Sequence, residues 1–466
     1  MLYLMIIMVV VFSAIIGLIV KIILDKSNSR YEITWKEYLI TMVVISFLAA
    51  PGVIKIGWEF AKSNKMTYRE YWNGWEERAI KRCIECERDG SCEHCYDCDP
   101  YIVMVNYPCN CDDKGNCSTC TRPETHYHSC PYVDMETDYV VKTTLGDYTI
   151  ASNRFPDNPQ QHRWRKSESI PQGVINRAGV GAPSFWTEAK SRIEEKVPGP
   201  VTKRMNYKNY IYASDNTILK QYSGEVKKFL DLNLFPKIQS GVFQFYHANK
   251  VHFVGFKPKD ASGWQKKLEY FNAALGSKLQ GDLYLVIIQN ALISKNPDEY
   301  AIALKAYWQN IEQFGKNAFS KNGIAILLGT ADGETVSWAR AFTGMPLGNE
   351  ELAVAVMGNL KGAVLDSENL LGDIQRFSSK RGNKGKLEDI IFGLTEESTK
   401  FRRISMSAQD KDDVGLGFLY LMSEIRPTDT QQIILVIIAL LLCGSGWTVS
   451  VFVGVRNFRR RYKQQY

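Results

Sequence analysis

The sequence predicts an α/β domain joined to a small Cys-rich module of the zinc-binding type and carried by three transmembrane α-helices. Three observations predict it. Long apolar runs lie at both ends of the chain, ten of the eleven cysteines fall between Cys83 and Cys130, and strand and helix patterns alternate from Val251 onward. The 466 residues are 45% apolar and 23% charged, which excludes disorder, collagen and coiled coil as the overall class and suits two to three domains. The net charge of +7, from 57 basic and 50 acidic residues, is mild and partly gathered in the C-terminal tail. It does not describe a strongly basic nucleic-acid binder.

The first run, MLYLMIIMVVVFSAIIGLIVKIIL, is broken only by Lys21 and is long enough at ~1.5 Å per residue to cross ~30 Å of hydrocarbon. A signal peptide is the rival reading, but a basic n-region and a small-residue cleavage site are missing. The second run, Tyr38 to Ile54, ends near Pro51 and Gly52, with Trp58 beyond it as an interfacial anchor. The third, Ile433 to Val455, is interrupted only by small residues such as Gly444, Ser445 and Gly446, with Cys443 inside it. Helices are expected over 2–24, 38–58 and 431–455.

Lys and Arg next to spans are retained on the cytoplasmic side. Lys21, Lys26, Arg30 and Lys36 around the first connection and Arg456, Arg459, Arg460, Arg461 and Lys463 in the tail make nine on one side. Lys55, Lys62, Lys65, Arg69 and Arg426 flank the large body on the other. The expected topology is an integral membrane protein with the N-terminus and the body extracytoplasmic and the tail, 456–466, cytoplasmic. That tail could also attract anionic lipid at its own leaflet.

The cysteines repeat. Cys86, Cys92 and Cys95 recur 25 residues later as Cys111, Cys117 and Cys120, and Cys83 maps to Cys109 with one residue deleted. Turns at Arg88-Asp89-Gly90 and Asp113-Lys114-Gly115 can bring the pairs of each unit together. Four thiolates in two short-spaced pairs suit tetrahedral zinc, so two structural zinc sites are the leading expectation for the module at 60–131. Cys98, Cys130, His94, His126 and His128 are spare ligands, although each histidine alone reads more simply as an exposed loop residue. Ten clustered cysteines facing an oxidising compartment could instead form five disulfides. The run Cys92-x-x-Cys95-x-x-Cys98 and the dipeptide Cys130-Pro131 leave an iron–sulfur cluster as a third chemistry.

Between 132 and 250 the pattern is short and irregular, with DYVVKTTLGDYTIA reading as a hairpin-like β pair around Gly146 and six prolines from Pro156 to Pro200 marking linker character. From 251 to 428 it becomes regular. VHFVGF reads as a strand. Trp264, Leu268, Phe271, Leu275 and Leu279 form one helical stripe, and DLYLVIIQ is a strand buried on both faces as in a parallel sheet. Asn296-Pro297-Asp298 starts a helix carrying Tyr300, Leu304, Trp308 and Ile311. IAILLGT and VSWARAFT follow as strands, then a helix carrying Leu352, Ala353, Val356, Met357 and Leu360.

This order, with LYLVII, DEYAIALKAYWQNIEQFGKN, NGIAILLGTADG and AFTGMPLGNEEL, resembles the TPM-domain family, whose members are lumenal or extracytoplasmic and often precede a C-terminal membrane helix. Lys321-Asn322-Gly323 matches two of three positions of its Asn-Asn-Gly element, Asp332 resembles its acidic turn residue and Gly344 the glycine of its Gly-Tyr-Gly stretch, where Met345 and Pro346 depart. Asp413 and Gly415 resemble its closing helix entry. The resemblance covers roughly 255–425 and implies a TPM-like α/β sandwich, with either cation-binding, phosphatase-like activity or a role in assembling membrane complexes.

Asp332, Asp410, Asp412 and Asp413 could offer hard oxygen ligands to calcium or magnesium, although Asp410–Gly415 lacks the fifth-position acid and twelfth-position Glu of an EF-hand. A solvated acidic turn is the plainer reading. No phosphate-loop, nucleophile-elbow or HExxH motif occurs. The expected function is therefore interaction: a membrane-anchored body that binds a membrane or envelope protein complex. A cation-dependent phosphatase is the enzyme rival. Nucleic-acid binding by the Cys module is the third, and Glu85, Glu87, Glu93, Asp112 and Asp113 oppose its charge requirement.

Overall fold

The computed structural model describes residues 1–26, 34–84, 93–109, 118–133, 136–152, 183–214, 223–238, 249–293, 296–379, 382–393, 398–406 and 417–463. Over 81–99, 127–138, 151–152, 223–224, 378–379 and 453–463 the description is confined to the backbone.

Three helices, Leu2–Lys26, Trp35–Lys65 and Asp429–Phe452, are long and apolar enough to cross a membrane. The second is longer than the 38–58 expected, because the capping box of Thr34 and Glu37 starts it early and Lys62 and Lys65 extend its last turn. Pro51 has no N–H and its ring crowds the carbonyl of residue 47, so the turns over Met42–Ala49 are widened to π geometry instead of breaking.

Outward-facing Ile7, Phe12, Phe47, Leu48, Ile437 and Leu441 are exposed, whereas small and polar residues line the contacts between the helices. Ser13 and Ser46 share a hydrogen bond of 2.7 Å, Trp447 Nε1 donates to Ser13 at 3.2 Å, and Thr41 meets Ser450 at 2.8 Å. Without a hydrophobic drive between helices in lipid, close packing and such bonds hold a bundle. Met5, Ile54, Trp58, Ala439 and Cys443 share one cluster, so the N-terminus lies at the end of the bundle from which the body springs.

Only Met66 separates the second helix from strand β1, Thr67–Ile84. β1 is the axis of an antiparallel sheet of order β5-β4-β1-β6 with β4, Glu136–Thr143, β5, Gly146–Ser152, and β6, Pro200–Lys208. Its first half pairs with β6 and its second half with β4. The expected Cys-rich segment and the expected irregular segment therefore contribute strands to one sheet. The β4–β5 turn needs Gly146, which holds φ at 114°.

The second sheet has the order β10-β9-β8-β7. Strands β7, Val251–Val254, β8, Asp282–Gln289, and β9, Gly323–Thr330, are parallel, and β10, Trp338–Thr343, is antiparallel at the edge. Leu283, Leu285 and Ile287 face helix Ala261–Leu279, with its Trp264, Leu268, Phe271 and Leu275. Tyr284, Val286 and Ile288 face helix Pro297–Trp308, with its Tyr300, Leu304 and Trp308. Covering on both faces is what makes these strands uniformly apolar. Asn296 caps the latter helix by accepting from the Glu299 amide. Of the stripe expected on helix Glu350–Leu360, Leu352, Val356 and Leu360 are buried but Met357 is 45% exposed, one position off the contact face.

The two sheets meet along helix Ala261–Leu279, where Gly276 lies against β1 so closely that a Cβ would stand 2.3 Å from the Asn73 carbonyl oxygen. At the end next to the apolar helices, Met66, Tyr68, Tyr207, Tyr210, Tyr212, Met345, Ile404 and Ile425 form an apolar joint between bundle and body.

Candidate functional site

β2, Glu93–Cys109, and β3, Ser118–Val133, form a separate two-stranded ribbon. At about 3.3 Å per residue it reaches on the order of 50 Å. No further strand pairs with either of its outer edges among the described residues. Pro100 and Pro108 in one strand and Pro123 and Pro131 in the other lack the N–H that an added strand would bond. Contact with another molecule is therefore left to the faces. One face carries Ile102 and Met104, 72% and 58% exposed; the other carries Tyr101, Val103, Val105 and Tyr107, with Arg122 stacked over Tyr107 and paired to Glu124 at 2.6 Å.

The ribbon also holds much of the cysteine block. Cys109 and Cys120 are joined by a disulfide, their Cα atoms 5.7 Å apart, a separation suited to the bond. This pairing is the disulfide alternative that the sequence leaves open beside zinc: register sets Cys120 opposite Tyr107, one diagonal step from Cys109, which brings the two sulfurs together. The backbone register sets Cys98 opposite His128, Tyr96 opposite Cys130, and His94 and Cys95 opposite Tyr132 and Pro131. Cys83 lies on β1 opposite Thr137. Cys86, Cys92, Cys111 and Cys117 lie outside the described residues. His126 is half exposed and its ring lies tilted beside that of Tyr101, centroids 5.8 Å apart. Among the described residues no group of three or more His, Cys, Asp or Glu could hold a metal ion.

Asp332 is in a tight turn. Its carboxylate accepts from the amides of Glu334 at 2.8 Å and Thr335 at 2.9 Å, and from the hydroxyls of Thr330 and Thr335. Those amide bonds, more than anything else, hold its pKa far below the usual carboxylate range. The group serves its own loop. Asp410, Asp412 and Asp413 lie outside the described residues. Asn322, of the TPM-like element, is buried and donates to the carbonyls of Tyr71 at 2.9 Å and Gln280 at 3.0 Å, which ties the second sheet to β1.

Other polar groups were not singled out by the sequence. Glu76, 2% exposed, accepts from both ends of the Arg192 guanidinium, at 2.6 and 3.1 Å, and from the Gly199 amide at 2.7 Å. These groups line a cleft of about 580 Å³ with Phe185, Lys266, Glu269 and Tyr270. Burial raises the pKa of Glu269, against the hydrogen bond from Gln265. Deeper in the seam, Lys250 pairs with Asp282, both almost wholly buried. Asn73 donates to the same Asp282 oxygen at 2.8 Å and accepts from Thr202 at 2.7 Å. A sequence signal existed: each charge stands at the start of an apolar strand, and those strands are neighbours. None of these groups sets a nucleophile beside a base, so the geometry describes a clamp more than a catalytic centre.

No family model matches the chain, and no curated protein or solved structure matches it at a significant level.

Proposed function

We propose that this chain is an integral membrane protein whose extracytoplasmic body binds a protein of a membrane or envelope complex through the side-chain faces of the β2–β3 ribbon. The observation that carries the proposal is the ribbon itself: it stands apart from both sheets, its edges carry prolines, and it exposes Ile102, Met104, Tyr101 and Tyr107. Apolar and aromatic side chains on a projecting element are the usual centre of a protein interface. Photocrosslinking from position 102 in intact cells tests it. A single protein adduct that disappears in Met104→Asp is expected; equal labelling from position 102 and from exposed Thr149 on β5 would overturn the reading.

The outside location of the body is supported by the Cys109–Cys120 disulfide, since such bonds persist in oxidising compartments. It agrees with the count of Lys and Arg beside the spans. By the repeat, the remaining cysteines of the block are read as disulfides too, in place of two structural zinc sites. Eleven cysteines would then leave one thiol, that of Cys443, after unfolding without reductant. Bound zinc, or nine or more free thiols, would sink this. The TPM-like kinship is retained within the proposal on the strand order and the placement of Asn322-Gly323 at the start of β9. No observation favours the phosphatase or nucleic-acid readings.

A further inference from the structure

The membrane-side end of the body gathers cations that are far apart in the sequence. Helix Trp35–Lys65 ends with Lys62 and Lys65, and Arg69 follows on β1. Folding adds Lys208, whose ammonium donates to Ser63 O at 2.8 Å, Ser63 Oγ at 2.6 Å and Thr67 Oγ1 at 2.9 Å, and Lys316, which donates to Asn64 Oδ1. Arg426 belongs to the same place: Ile425 shares a cluster with Met66, and Leu435 of the following helix packs on Gly57.

Lys62, Lys208, Lys316 and Arg426 form no ion pair with a carboxylate among the described residues. Glu59, Glu312, Glu424 and Asp429 are the acids close by in the chain, and none pairs with them. Burial and the neighbouring charge of Lys316 lower the pKa of Lys208. Part of this excess is structural, because cations suit a helix C-terminus and Lys208 donates to Ser63 in the last turn and to Thr67 at the start of β1. Lys316 is exposed and makes one bond, so its remaining donors are open to solvent.

Beside these cations, the turn Leu419–Ser423 alternates in its burial. Leu419 and Leu421 pack into the Met66 cluster while Tyr420 and Met422 are 66% and 37% exposed. An exposed tyrosine and positive charge at the end of an apolar span match the chemistry of the headgroup layer.

We propose that Lys62, Lys316 and Arg426, with Tyr420 and Met422 beside them, bind the phosphate headgroups of anionic phospholipids in the leaflet that meets the body. The inference rests on the membrane-spanning reading, and carbonate extraction separates the two: release of the chain would end that reading, whereas retention leaves the lipid site to be judged alone. The full chain, exchanged into micelles holding equal phosphatidylglycerol and phosphatidylcholine, is stripped and its retained lipid counted by mass spectrometry. Preference for phosphatidylglycerol is expected, weakening roughly fivefold for each charge removed in Lys316→Gln, Arg426→Gln and their combination with Lys62→Gln. The basic tail contributes equally in every variant. The single variants serve if the triple one loses its unfolding transition. Equal retention of both lipids, no change in the variants, or displacement of the lipid by millimolar inorganic phosphate would each overturn the proposal.

Discussion

Asn73 on β1 donates a hydrogen bond of 2.8 Å to Asp282 at the head of β8, and this contact binds the antiparallel sheet to the parallel one. Because Asp282 is also the counter-ion of buried Lys250, a single carboxylate neutralises a charge and fixes the seam. The body that the bundle carries is thereby one unit, with the ribbon as its projecting part.

Asp282→Asn should lower the stability of the folded body by about 3–5 kcal/mol, because it strands the Lys250 ammonium away from water. Unfolding of the full chain in mild detergent, followed by tryptophan fluorescence, measures it. The double change Lys250→Met with Asp282→Leu should recover part of the loss, since replacing a whole buried pair costs less than breaking one. A single variant as stable as the double would contradict the pairing.

Gly276→Ala sets two effects against each other. Alanine favours a helix by about 1 kcal/mol over glycine, but its Cβ would stand 2.3 Å from a backbone oxygen of β1 that cannot rotate away. Overpacking costs about 1–3 kcal/mol. A net destabilisation is expected, read as a lower unfolding midpoint, and a rise would show that the seam is looser than described.

His252 makes stability depend on pH. Half-buried against Trp308, with its Nε2 shut from water and unpartnered, it has its pKa lowered by desolvation from 6.5 to about 4. Between those values the unfolded chain binds the proton and the folded one does not. Its contribution is therefore complete above pH 6.5, declines as pH falls through the window, and is spent below about 4, for a total on the order of 3 kcal/mol. His252→Phe should flatten this part of the stability profile between pH 4 and 6.5. An unchanged slope would assign the dependence to other groups.

Cys109→Ser should act locally. Opening a bond that closes 11 residues costs about 2–3 kcal/mol, and the ribbon packs chiefly on itself. Amide exchange in β3 from Ser118 to His126 should accelerate while β8 and β9 keep their protection. Faster exchange in β8 would mean that the ribbon supports the body after all.

How much of this could be read beforehand depended on the reach of the interaction. The helix stripe of Trp264, Leu268, Phe271 and Leu275, the strand DLYLVIIQ and the Asn296-Pro297 helix start were legible because period and capping are local. Glu70, Asn73 and Glu76 were not: three polar residues along β1 suggest a solvated strand, yet all three are buried, beside Arg403, Asp282 and Arg192.

The sequence by itself determined three helices long and apolar enough to cross a membrane and a parallel α/β layer, because a bilayer or a doubly covered sheet demands an unbroken apolar run whatever its neighbours are. Only the tertiary structure decided which cysteine meets Cys109, which carboxylate meets Lys250, and that Lys208 and Lys316 come to the last turn of a helix more than a hundred residues before them. Spacing along a chain states what a residue can do within a few ångströms of backbone, whereas strand register and packing choose its distant partner.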